Sequence, residues 1–198
     1  ALVAPVFEHG EGRGAIGCVA VNPPVFLPED EAMAVIRDEL EKHGVHLSGQ
    51  HLELTEVIVP RRVLESRSVE GRRRYEIREN RSQGTALLLD DHDERRQIAV
   101  EFIDERSYAA LGGPRASSTA EDYDMIGVAR SVAKQVRREG KRPVKLGVFY
   151  DPLESCDREA IPEDEWKADY TAAQDKAETL AIAKSRELLR LQVRDFVN

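Results

Sequence analysis

Six residues near the N-terminus, Gly12-Arg13-Gly14-Ala15-Ile16-Gly17, carry the glycine spacing of a dinucleotide-binding turn. That chemistry needs a strand before the glycines and a helix after them, so that backbone amides meet the pyrophosphate. Here the glycines lead into an apolar, β-branched run over residues 14–21, which Asn22-Pro23-Pro24 ends before three helical turns could form. The context reads as a buried strand rather than a phosphate cradle.

His43, His46 and His51 lie close enough in sequence to raise the question of a metal. A zinc site wants rigid ligands with oriented partners. His43 and His46 instead flank a helix stop at Gly44, where imidazolium complements the helix dipole, and His51 opens a strand. The run Asp90-Asp91-His92-Asp93-Glu94 offers oxygens for calcium but lacks the glycine-punctuated spacing of a calcium loop. It reads as a solvated hairpin turn, and neither a metal nor a cofactor is expected.

No serine sits in Gly-x-Ser-x-Gly, and neither cysteine has a local histidine, so no nucleophilic triad is supported. Cys18 and Cys156 are too few for a disulfide scaffold. If their strands are parallel neighbours, the offset between them is about 30 Å at ~3.3 Å per residue. A disulfide tolerates only ~7 Å between Cα atoms. The pair is expected to be unbonded.

The best small-ligand candidate is the loop Gly112-Gly113-Pro114-Arg115-Ala116-Ser117-Ser118-Thr119. Gly113, Arg115, Ser117, Ser118 and Thr119 combine glycine, arginine and hydroxyls at a helix start, which is how proteins hold phosphate or carboxylate. The loop also follows the C-terminal end of a strand, the usual side for a ligand crevice. Asn22 and Asp151 end two other apolar runs and are assigned to the same crevice. Glu121, Asp122 and Asp124 would oppose an anion there, and a plain capped loop is the competing reading.

One stretch is locally basic. Arg61, Arg62, Arg67, Arg72, Arg73, Arg74, Arg78 and Arg81 alternate with Glu65, Glu70, Glu76 and Glu79. Cross-strand ion pairs on a solvated hairpin account for the pattern. The functional alternative is docking to an acidic partner, another copy of this chain included.

The elements that position these residues follow from patterning. Pro28, then Glu29, Asp30 and Glu31, then Ala32, Val35, Ile36 and Leu40 predict a helix that Gly44 stops. Leu52, Leu54 and residues 57–59 predict a strand ending near Pro60. Residues 62–69 and 72–79 flank the tight turn Glu70-Gly71, and 85–89 with 97–103 complete an antiparallel meander. Ser118 and Glu121 form a capping box for a helix over 119–139, and 144–150 reads as a buried strand.

Thr171 and Gln174 open a final helix over 172–198. It carries one stripe of Ala177, Leu180, Ala181, Leu188 and Leu191, and a second of Ile182, Leu189, Val193, Phe196 and Val197. One stripe covers the sheet. The second either packs on the 119–139 helix or, through Leu189, Val193 and Phe196, joins two copies or docks a partner.

The expected fold class is α+β. It has a mixed sheet with an antiparallel central meander and two βαβ-like units, helices mainly on one face, and a long C-terminal helix. A three-layer mixed sheet is the runner-up. Residues 1–13 read as an N-terminal arm and 14–198 as a single α+β domain.

A net charge of -8 sets the odds against nucleic acid and anionic membranes, and 6% aromatics argue against a stacking platform for single strands. No apolar run approaches the ~20 residues of a membrane span. The start at Ala1 carries no signal-like segment, so a soluble chain is expected, cytoplasmic or exported with its signal removed. With no catalytic constellation, the sequence favours a non-catalytic protein-interaction or assembly module. Its partner would be a protein or a second copy, with no nucleic acid and no membrane. The alternative is a small-anion or small-molecule binding protein or enzyme, sited at the 112–119 loop and the loops after Asn22 and Asp151.

Overall fold

The computed structural model describes residues 1–17, 22–111, 113 and 120–198. In chain order the elements are β1 (Leu2–Val3), β2 (Arg13–Gly17), α1 (Glu29–Glu41), β3 (Leu52–Val69), β4 (Arg72–Leu89), β5 (Asp91–Asp93), β6 (Ile98–Ile103), α2 (Glu105–Ala110), β7 (Ala120–Asp124), α3 (Met125–Glu139), β8 (Lys145–Tyr150), α4 (Glu163–Ala168) and α5 (Tyr170–Val197). Four strands form a mixed sheet in the order β1-β8-β6-β5. β1 and β6 flank β8 in parallel, and β5 closes one edge antiparallel.

β8 is apolar in both directions because it is paired on both edges and covered on both faces. Val100, Phe102 and Phe149 meet α1 and α5 on one face. Ala99, Ile103, Leu146, Val148 and Tyr150 meet α3 and the root of β3–β4 on the other. The chain is therefore α+β with a mixed sheet and a long C-terminal helix, two of its long helices sharing a face and α3 lying opposite. Within residues 1–13, Leu2 and Val3 pair with Lys145 and Leu146. The carbonyls of His9 and Gly10 accept from the Gln192 amide and the Tyr150 hydroxyl.

From Arg13 onward the dinucleotide-like string is a strand. Arg13 to Gly17 pair antiparallel with β7, in register from Arg13–Asp124 to Gly17–Ala120. Gly12 has φ +63°, and a Cβ there would sit 2.6 Å from the Tyr150 ring. Glycine is needed for backbone shape and close packing.

That pairing also moves a helix start. The helix expected over 119–139 begins at Met125, because residues 120–124 are consumed by β7. Asp124 caps it by accepting from the Gly127 amide at 3.0 Å. The Ser118 cap and Cys18 both lie outside the described residues. Pro28 and Pro162 open α1 and α4 with nearly the same backbone angles and three acids behind each. The two Pro-Glu-Asp-Glu strings are thus two helix starts of one chemical type.

The antiparallel meander takes the form of a long two-stranded hairpin beside the four-stranded sheet. Segments 52–59 and 62–69 are one strand, β3, and Pro60 does not end it. The register shifts between Leu54 and Ile58 and again between Val59 and Arg61, so the proline sits at a bulge where no ladder donor is required. Glu70 (φ 52°) and Gly71 (φ 76°) make the two-residue turn.

On α5 the expected pair of stripes is a single one. Ala173, Ala177, Ala181, Ser185, Leu189, Gln192, Val193 and Phe196 are buried at steps of three and four, while Leu180 and Leu191 face solvent. Asp169, rather than Thr171, caps the helix through the Ala172 amide. The assignment of Leu189, Val193 and Phe196 to an interface is corrected. All three are buried in their own chain, against α1 and the sheet, with Phe196 edge-on to Phe149 at 5.6 Å. The covering helix is α1, and the Arg194 guanidinium seals the seam on Glu39 at 3.0 Å.

Candidate functional site

The parallel pairing of β6 and β8 sets their C-terminal ends side by side, and the predicted ligand residues gather there only in part. The loop after Asn22 and the loop after Asp151 are zipped together. The Val25 amide donates to Glu154 and the Cys156 amide to Pro23, around a bridge between Pro24 and Ser155.

Asp151 is the latch beneath them. Its Oδ2 accepts from the Leu27 amide and its Oδ1 from the Leu153 amide, both at 2.8 Å. Burial pushes its carboxyl up to about 7, helped by the fields of Asp104 and Glu105 and opposed by the two amides. Fully buried, with both oxygens used, Asp151 offers a ligand nothing, and its ligand-binding assignment is corrected.

Gly113 and Asn22 line different cavities. Gly113 donates its amide to the Tyr108 carbonyl at 2.7 Å and lies flat on that ring, where a Cβ would come within 2.4 Å. With Tyr108 and Tyr123 it borders a pocket of about 170 Å³ whose other polar residues are Glu105, Glu121 and Asp122. Carboxylates at this mouth repel the small anion that the loop was expected to hold. Arg115, Ser117, Ser118 and Thr119 lie outside the described residues.

Asn22 lines a larger groove of about 650 Å³ with Asp157, Arg158, Glu159, Ile161, Pro162, Glu163 and Trp166. Ile161 and Trp166 are buried together with Cys156, Ala173 and Ala177, which anchors α4 on α5. The Trp166 indole donates to the Arg158 carbonyl at 3.1 Å, and the Arg158 guanidinium lies 5.1 Å from the ring centroid. Acids on the rim and apolar rings on the floor give this groove its character.

The acidic turn at 90–94 is a structural hub rather than the solvated turn expected. Asp91 is buried, accepts from Arg37 at 2.8 Å, and takes the amides of Gly49 and His92. Asp93 accepts the amides of His46 and Arg96. Asp90 accepts from Phe102, and its own amide donates to Glu101. Burial raises Asp90 to about 6 and Glu101 well above the ordinary range. Among the described residues no three of His, Cys, Asp and Glu are placed to hold a metal ion.

The feature with no internal explanation is the outer half of β3–β4. Its side chains sort into two faces by strand alternation. The bulges carry the body-facing side from Leu52 and Leu54 to Val57 and Val59, then to Arg62 and Leu64. Arg62 meets Asp124 at 3.5 Å and Glu79 meets Lys134 at 3.9 Å, which roots the hairpin beside α3. Beyond that root the same face continues as half-buried Leu64 opposite Ile77 and exposed Ser66 opposite Tyr75. Tyr75 is 52% and Ile77 44% exposed.

The opposite face is charged, and its ion pairs are partial. Arg78 meets Glu65 at 2.9 Å and Arg67 meets Glu76 at 4.0 Å. Among the described residues no acid pairs with Arg72, Arg73 or Arg74 at the tip. Sequence reading found the ribbon and its charges but not its apolar side. The signal was present in Tyr75-Glu76-Ile77, whose alternation registers on Leu64 across the Glu70-Gly71 turn.

No protein-family model, curated protein or solved structure matches this chain. No helix among the described residues is long and apolar enough to cross a membrane.

Proposed function

We propose that this chain is a non-catalytic protein-interaction module whose contact element is the outer β3–β4 ribbon. The observation that carries the reading is the exposure of Tyr75 and Ile77, beside half-buried Leu64, on a two-stranded ribbon edged by arginines. An isolated pair of strands is marginal in water, and a third layer over its apolar face would stabilise it. Tyrosine and arginine are also the residue types that dominate protein interfaces. The buried carboxylates support a scaffold rather than a catalyst, because Asp90, Asp91, Asp93 and Asp151 spend their oxygens on backbone amides and Arg37. The partner has an acidic face with an apolar strip.

A photo-cross-linking amino acid in place of Tyr75, in the full chain expressed in its native host, tests this. The expected result is a covalent adduct with a protein, identified by mass spectrometry and lost when Ile77→Glu is added. A ribbon that forms no adduct, or one indifferent to Ile77→Glu, overturns the reading.

A further inference from the structure

We propose that the ribbon's partner is a second copy of this chain, and that its tip seats in that copy's groove beside α4. The inference rests on the ribbon being a protein contact and adds the identity of the partner.

Charge is segregated within the one sequence. Residues 61–81 hold eight arginines against four glutamates, a local +4, so the rest of the chain carries -12 of its net -8. Part of that acidity is concentrated beside α4, where residues 157–169 hold six carboxylates against two bases. Arg158 keeps its charge over the Trp166 ring and Lys167 is paired with Glu163 at 2.8 Å, so the acids still outnumber the bases that an incoming ribbon meets. The tip arginines Arg72, Arg73 and Arg74 bring the complementary sign.

The apolar parts match as well. Tyr75 directly follows the tip arginines, and the groove floor offers Ile161, Pro162 and Trp166 within about 650 Å³. A tyrosine carries a large apolar body on few rotatable bonds, so it fits such a slot at small entropic cost. In one chain the ribbon is rooted on the α3 face, while the groove lies beside α5, which covers the opposite face. The two meet between copies. A reciprocal contact, each ribbon in the other's groove, closes as a two-fold dimer without leaving a free end.

Light scattering on the full chain at tens of micromolar and physiological salt decides it. Four proteins are compared: the wild type, Arg72→Glu with Arg73→Glu and Arg74→Glu, Glu159→Arg with Glu163→Arg, and the combination of all five substitutions. Every substituted position is exposed, and matched thermal unfolding confirms that each variant is folded. The wild type is expected to be a dimer, each one-sided variant to dissociate at least tenfold more readily, and the combination to recover most of that loss. A monomeric wild type overturns the proposal. So does a dimer that both one-sided variants leave intact, or a combination that restores nothing. A Tyr75 adduct with a different protein overturns the second copy while leaving the interaction reading in place.

Discussion

The Leu27 amide donates to the Asp151 carboxylate at 2.8 Å, tying the entry of α1 to the end of β8 across 124 positions of sequence. The Leu153 amide takes the other oxygen at 2.8 Å, and Leu153 itself sits at φ 52° to reach it. Removing the carboxylate leaves two buried donors without an acceptor, and each such orphan costs about 1–3 kcal/mol. Asp151→Ala is expected to lower the unfolding free energy by about 2–4 kcal/mol in a urea titration. A loss too small to resolve would remove the latch from this account.

Burial raises Asp90 to about 6, Asp151 to about 7 and Glu101 well above the usual carboxylate value. In the unfolded chain carboxylates release their protons near pH ~4. These three groups therefore contribute stability that is complete below that value and lost as pH rises through the folded values. Unfolding free energy is expected to fall between pH 5 and pH 8. The carboxyls held low, such as Glu39 and Glu139, act in the opposite sense only nearer pH ~4. Glu101→Gln keeps an acceptor for the Asp90 amide without the proton, so it is expected to flatten the slope. A wild-type stability that rises from pH 5 to pH 8 would contradict the assignment.

Phe196 sits against Phe149 and beneath the Lys145 ammonium, which lies 4.6 Å from the ring centroid. Phe196→Ala is expected to cost about 3–5 kcal/mol, as for other buried aromatics. Leu180→Glu, on the solvent side of the same helix, is expected to stay within about 0.5 kcal/mol of the wild type. Thermal unfolding of the two variants separates a core stripe from a surface one. Similar losses for both would mean that α5 buries two faces.

Tyr75→Ser with Ile77→Ser is expected to change monomer stability by less than about 0.5 kcal/mol, since both side chains are exposed. The ribbon is also expected to leave duplex and single-stranded DNA unshifted at submicromolar protein and physiological salt, because four glutamates interleave with its arginines. A mobility shift that weakens steeply with added salt would reverse this.

Helix starts were legible wherever the signal is local. Pro28 with three acids behind it, and the capped beginning of the last helix within two residues of its true position, depend on one turn of backbone and its dipole. The Glu70-Gly71 turn was equally plain, because few dipeptides accept two positive φ angles. Residues 120–124 were misread for the complementary reason. Their acids suit a helix start, but an antiparallel partner at Arg13–Gly17 outbids local preference, and that partner is over a hundred residues away.

The sequence by itself determined the α+β class, the long last helix, the ribbon and its sign of charge, since periodicity and composition act within a few residues. Only the tertiary structure decided which apolar surfaces are spent. Leu189, Val193 and Phe196 looked like an interface until α1 was found lying over them, and Asp151 looked like a ligand until the Leu27 amide was found on its oxygen. Tyr75 and Ile77, beside half-buried Leu64, are the apolar side chains of the ribbon left uncovered. Burial depends on which distant segment arrives, and a side chain's own type and spacing carry no record of that arrival.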